Sequence, residues 1–191
     1  MINKDKIINL VVYLSSKVDD LYITKLLKLI YLIDEISVKE SGVKITECEY
    51  KVWKRGPVNK ELYNSLSFDD RDSIGFNGKI KKEQTKYGQI IKPAATFNDD
   101  EFSEYEKEII DRVILKFGEY KAGKPVKKLH EKDTLWSKIV EEKGLKQFFK
   151  TEENTTTPYK IDFSELLKDS PLKRSVYKSI QDSTEFQKTL Q

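Results

Sequence analysis

Tyr22-Ile23-Thr24-Lys25-Leu26-Leu27-Lys28-Leu29-Ile30-Tyr31-Leu32-Ile33-Asp34-Glu35-Ile36-Ser37-Val38-Lys39-Glu40-Ser41 is the stretch that decides the fold. Ile23, Leu26, Leu27, Ile30 and Ile33 recur at helical spacing, and Leu29, Leu32 and Ile36 form a second stripe beside them. An α-helix with two apolar stripes must bury two sides, so the spacing predicts a central helix over 22–41. Gly42 follows, where a helix that stops through a left-handed residue needs a glycine.

Upstream, Asn3 is placed to cap a helix carrying Ile7, Ile8, Val11, Leu14 and Val18, which lays one face on the core. Downstream, Thr46 to Lys54 alternates Cys48, Tyr50 and Val52 with Glu47, Glu49 and Lys51, the period of a half-buried strand. Gly56-Pro57 turns the chain, and Val58, Leu62 and Leu66 predict a short helix with Pro57 at or near its start. Residues 79–82 and 89–93 read as a small hairpin. Asn98-Asp99-Asp100 is the expected start of a second core helix, with Phe102, Tyr105, Ile109, Ile110, Val113, Ile114 and Phe117 as its stripe. Val126 with Leu129, and Trp136 with Ile139 and Val140, suggest two shorter helices divided near Asp133-Thr134. Beyond a Thr-rich loop at 152–158, Tyr159, Ile161 and Phe163 alternate like a strand, Asp162 or Ser164 is placed to cap a brief helix through Leu167, and Leu172, Val176 and Ile180 are in register for a last helix.

The 191 residues are 38% hydrophobic, 11% aromatic and 35% charged, enough large apolar side chains for one buried core. Thirty-five Lys and Arg against 32 Asp and Glu leave a net charge of +3, which does not announce a nucleic-acid binder. The longest apolar run, near Leu26–Ile33, is interrupted by Lys28, too short and too charged to span a membrane. Lys4, Asp5 and Lys6 open the chain unlike a secretory leader, so the expected location is cytoplasmic. Cys48, the single cysteine, excludes an internal disulfide and reads as a packing residue; with one histidine it cannot complete a zinc site.

Catalytic spacing is missing. The sequence has no Gly-rich phosphate loop, no His-Glu-x-x-His pair and no second histidine. His130, beside Glu131 and Asp133, is the one candidate general base, and its plainer reading is a hydrogen-bonding or interface residue. The carboxylates Asp99, Asp100, Glu101, Glu104, Glu106 and Glu108 suit a helix N-terminus, where they complement the dipole. Two lysine clusters, at 79, 81, 82 and 86 and at 121, 124, 127, 128 and 132, read first as solvated surface and second as a face for an acidic partner or nucleic acid. No helix carries the Arg, Asn and Gln spacing of specific DNA readout.

Three sequence elements together resemble the Panacea family of SocA-like antitoxins and phage-associated GepA-like proteins. Lys25, Leu26, Lys28, Leu29 and Tyr31 are similar to its Lys-Leu-x-Lys-Leu-x-Tyr helix. Trp53-Lys54-Arg55-Gly56-Pro57-Val58, followed by Leu62-Tyr63, resembles its Trp-x-x-Gly-Pro-Val signature, and Leu129-His130 with Trp136 resembles its third element. Leu27, Val52 and Leu135 depart from the residues the family often has there, Gln, Ala and Pro. The resemblance implies an antitoxin that binds and blocks a cognate protein toxin, often encoded beside it or carried by phages, and in one mode hands it to a Clp-type protease.

The residues and the resemblance lead to common expectations. The fold is α+β and mostly helical, with a small antiparallel sheet; the alternative is all-α. Residues 1–150 form the antitoxin domain and 151–191 a C-terminal helical extension packed on it. The chain is a binding protein and not an enzyme, without cofactor or metal. A proteolytic adaptor or phage-encoded host-interaction protein is the alternative function. Trp53, Gly56 and Pro57 are architectural, because a large anchor and a forced turn make a fold. Lys54, Arg55 and His130 are the candidates for touching a partner, since charged residues beside a buried Trp project outward.

Overall fold

The computed structural model describes residues 3–120 and 127–189. It is mostly helical, with two small antiparallel sheets. Helix α1 (Lys4–Lys17) is capped by the Asn3 side chain, and α2 (Ile23–Ser41) follows. Burial on α2 reaches further round than its two leucine and isoleucine stripes: Lys25, Lys28, Asp34 and Ser37 are also buried. Gly42 ends it at φ 80°, and a Cβ there would meet the Lys173 carbonyl at 2.6 Å, so both conformation and space demand glycine.

Strands β1 (Lys51–Trp53) and β2 (Gly56–Val58) form a tight hairpin with Val52 opposite Pro57. The strand expected from Thr46 is therefore much shorter. The alternation is real, with Cys48, Tyr50 and Val52 buried, but the backbone before Lys51 is satisfied partly by side chains. The Thr46 N–H goes to the Asp34 carboxylate and the Cys48 N–H to the Thr46 hydroxyl. Pro57 likewise lies in β2, not at a helix start; α3 (Lys60–Ser67) is capped by Asn59, whose Oδ1 accepts the Leu62 N–H at 2.7 Å.

The second hairpin, β3 (Ile80–Thr85) and β4 (Gly88–Pro93), sits where expected. Its β4 side is anchored to the junction of α1 and α2, the Ile91 N–H donating to the Leu21 carbonyl. Asn98 caps only a 3-10 turn at Asp99–Glu101. The helix itself, α4 (Glu104–Phe117), starts at Ser103, which forms a capping box with Glu106. Tyr105 of the expected stripe turns outward to Glu40. Residues 127–129 are helical, Thr134 caps α5 (Leu135–Glu142), and α6 (Leu145–Phe148) follows; Gly123 and Val126 lie outside the described residues.

The last part of the chain closes the core. Residues 155–161 run beside β1: Val52 donates to Tyr159, Lys54 to Thr155 and Ile161 to Tyr50. Asp162 caps a 3-10 helix at Phe163–Leu167, and Phe163 packs among Tyr31 and Tyr50. Helix α7 (Pro171–Thr189) docks through buried Tyr177. The helix expected from Leu172, Val176 and Ile180 is there, but that stripe is not its docking face: Leu172 is 79% exposed, and of the three Ile180 lines a cavity wall. Tyr177 buries more area than any of the three, so its position sets the rotation of the helix. No described helix is long and apolar enough to cross a membrane.

Candidate functional site

Lys28 leaves the middle of α2 and is 1% exposed. Its ammonium donates to the Pro57 carbonyl at 2.6 Å. Burial without a carboxylate beside it pushes its pKa down to about 7, since the charged form loses its water. The hairpin turn from β1 to β2 brings Gly56 over the same amine at φ 102°. A Cβ on Gly56 would lie 3.2 Å from Lys28 Nζ and 3.4 Å from His130 Nε2. Glycine is required there twice, for conformation and for space.

His130 closes the other side. Its ring stacks on Trp136 with centroids 3.8 Å apart and planes at 3°, and its Nε2 is buried with no hydrogen-bond partner among the described residues. Burial, then the Lys28 charge, lowers the His130 pKa, against contact with the Arg55 backbone, which raises it. Trp136 in turn donates its indole N–H to the Trp53 carbonyl at 2.8 Å. The ring of Trp53 meets Tyr63 edge-on at 5.1 Å.

The three separated sequence elements therefore meet at one node under the β1–β2 turn. Leu26, Leu29 and Tyr31 support it from the core, as do Val58, Leu62 and Leu129. Lys25 acts apart from the node, donating from its ammonium to the Gly118 carbonyl at the end of α4, at 2.5 Å. Lys28 and His130 line neither the cavity beside Tyr177 nor the groove beside Arg55. What the node does in the structure is to hold helix, hairpin and α5 together.

Six residues along α2 lies a polar cluster that the sequence reading missed. Asp34 is fully buried and accepts from the Thr46 N–H, the Thr46 hydroxyl and the Tyr50 hydroxyl at 2.8, 2.5 and 2.8 Å. Burial raises its pKa to about 6 against the hydrogen bonds that lower it. Cys48 beside it is buried, and its thiol is pushed up to about 12, so it packs as an inert group. The signal that pointed here was a carboxylate on a helix face otherwise occupied by buried residues. Among the described residues no group of three His, Cys, Asp or Glu side chains stands ready to hold a metal.

The partner-facing candidates separate. Lys54 donates its backbone N–H to Thr155 and its ammonium to the Thr151 carbonyl at 2.9 Å, so it is engaged within the chain. His130 faces the node. Arg55 is exposed and lines a groove of about 1270 Å³ between the start of α2, the tip of the second hairpin and the end of α4. Leu115, 84% exposed, Tyr87, 76% exposed, and Tyr120 share that groove. Of the lysine clusters, 79, 81, 82 and 86 lie on or beside the β3–β4 hairpin, and Lys127, Lys128 and Lys132 near His130; Lys121 and Lys124 lie outside the described residues.

The family described as antitoxin SocA-like, Panacea domain, has a model that matches residues 26–137. The chain belongs to the Panacea family. That match contains both Lys28 and Asp34 and ends one residue after Trp136, so the whole node lies inside the Panacea pattern. Residues 138–189, with Phe163 and Tyr177 in the core, lie beyond it. No curated protein and no solved structure matches the chain.

Proposed function

We propose that this Panacea protein is an antitoxin that neutralises a cognate protein toxin by direct contact, without catalysis, cofactor or specific nucleic-acid binding. One observation supports the reading: the signature residues Lys28, Gly56, Pro57, His130 and Trp136, with the Trp53 carbonyl, are engaged with one another in one node, and Arg55 alone of the hexapeptide is exposed. A motif used up in building a scaffold leaves recognition to the outer surface. Arg55, Tyr87, Tyr120 and Leu115 around the groove are of the kind that anchors interfaces, planar or large groups that bury much area at small entropic cost.

Co-expression with the product of the adjacent gene tests this. The expected result is that the product alone stops growth and that the wild-type chain restores it in soluble complex. Arg55→Ala with Leu115→Ala is expected to lose protection while keeping the fold, and His130→Gln to keep protection. A harmless product, or toxicity despite soluble chain, overturns the reading. A toxin that vanishes from the cell only when a Clp-type protease is present would assign the chain to the adaptor class instead. Cytoplasmic location and carriage by phage or prophage belong to the same proposal, and fractionation and the surrounding genes check them.

A further inference from the structure

Residues 79–93 carry Lys79, Lys81, Lys82, Lys86 and Lys92 against one carboxylate, Glu83. Five positive charges less one negative give +4, more than the +3 of the whole chain, so this hairpin holds the excess and the rest is slightly acidic. Within it Lys81 stands directly across from Lys92. Like charges at opposed positions of an antiparallel pair repel and weaken the sheet. Lys82 is engaged with Asp69 and the Ser65 carbonyl, and Lys86 lies over the ring of Tyr87. For Lys79, Lys81 and Lys92 no carboxylate stands within salt-bridge distance among the described residues.

The same hairpin has one open side. Strand β4 pairs with β3 and is tied at Ile90 and Ile91 to the turn before α2. Among the described residues strand β3 pairs with β4 alone. Alternate N–H and C=O groups of 81–85 therefore point away from the sheet, and no backbone among the described residues takes them up. An open edge is a template for another strand, and lysines on it select which strand. A second copy of this chain would bring its own lysines and be repelled. An acidic strand would gain main-chain hydrogen bonds and would place its carboxylates beside Lys81 on the edge, with Lys92 one strand further in.

We propose that the outer edge of β3 is a docking site for an extended, acidic segment of the protein partner, added as a third strand. This rests on the antitoxin reading for the partner's role, while the edge itself can be tested without the toxin. The probe is a short peptide alternating glutamate with valine or threonine, offered to the full chain, with its lysine counterpart and single-stranded oligothymidylate as competitors. The expected result is binding of the acidic peptide, slowed amide exchange confined to residues 81–85, and affinity about tenfold weaker in Lys81→Glu/Lys92→Glu. That double variant keeps a like-charged cross-strand pair while reversing its sign, so its thermal stability is expected to match wild type. Absence of peptide binding, protection elsewhere, equal affinity in the double variant, protection of the edge in a dimer of the free chain, or stronger protection by oligothymidylate each overturns the proposal. If wild type and double variant neutralise the toxin equally, the docking edge fails and the antitoxin reading stands; if neither neutralises it, the antitoxin reading fails while the peptide result still decides the edge.

Discussion

Lys28 and Asp34 are two buried charges on one helix, and the protein treats them differently. Asp34 meets three donors, from Thr46 twice and from Tyr50, and so is fully occupied as an acceptor. Lys28 has a single hydrogen bond, to the Pro57 carbonyl, and shares its surroundings with an unpartnered histidine nitrogen. Among the described residues neither forms a salt bridge, although the Lys44 charge acts on Asp34. A buried charge met only by dipoles is held by geometry and becomes easier to neutralise, which is why the acid is shifted up and the amine down. Asp34 is a structural fixture. Lys28 is an under-satisfied group kept in place by the turn above it.

The contrast orders the substitutions. Asp34→Ala leaves three buried donors without an acceptor and is expected to cost about 3–5 kcal/mol, a loss that chemical denaturation would show as a collapsed midpoint. If it is tolerated within about 1 kcal/mol, the account of Asp34 as a fixture is wrong. Gly56→Ala forces a Cβ against Lys28 and His130 at a φ that side chains avoid; about 1–3 kcal/mol and a loss of the His130–Trp136 stack are expected, the latter visible in tryptophan fluorescence.

Lys28→Met is expected to be milder, about 1 kcal/mol, because the lost hydrogen bond is offset by the relief of burying an amine. Its signature is the pH dependence. The folded-state pKa near 7 lies below the ordinary lysine value of 10.5, so the unfolded chain binds more protons across that window and wild-type stability rises from pH 7 to about 10. The methionine variant should lose that slope. For Asp34 the folded value near 6 lies above the ordinary aspartate value of 3.8, so its contribution to stability grows as pH falls from 6 toward 4. Arg55→Ala completes the series at the small end: a stability change within about 0.5 kcal/mol, as for an exposed side chain, measured beside its effect on toxin protection.

Much of this was readable in the sequence because it depended on local rules. The central helix, its glycine stop, the second hairpin and the Thr134 cap follow from spacing and capping chemistry within a few residues. Where the reading failed, a distant partner had the stronger hold. The strand from Thr46 was cut short because Asp34 took its first N–H, and the helix at Val58 was delayed because Val58 had Lys51 to pair with. The stripe on α7 is not its docking face because Tyr177 fits the core better than the smaller residues counted. The node itself was half legible. Its members were all named as letters of a motif, but that Lys28, Gly56 and His130 approach one point needs three dimensions. Nothing local to Lys54 says that a carbonyl nearly a hundred residues away will occupy it.

Residues 155–161 run beside β1 and lead the chain back over the core. The match to the family model ends at residue 137, yet the hydrophobic interior does not: Ile161, Phe163, Leu167 and Tyr177 supply one wall of it. The recognisable part and the folded unit have different borders. Cutting the chain where the family match stops would therefore strip one wall from the interior.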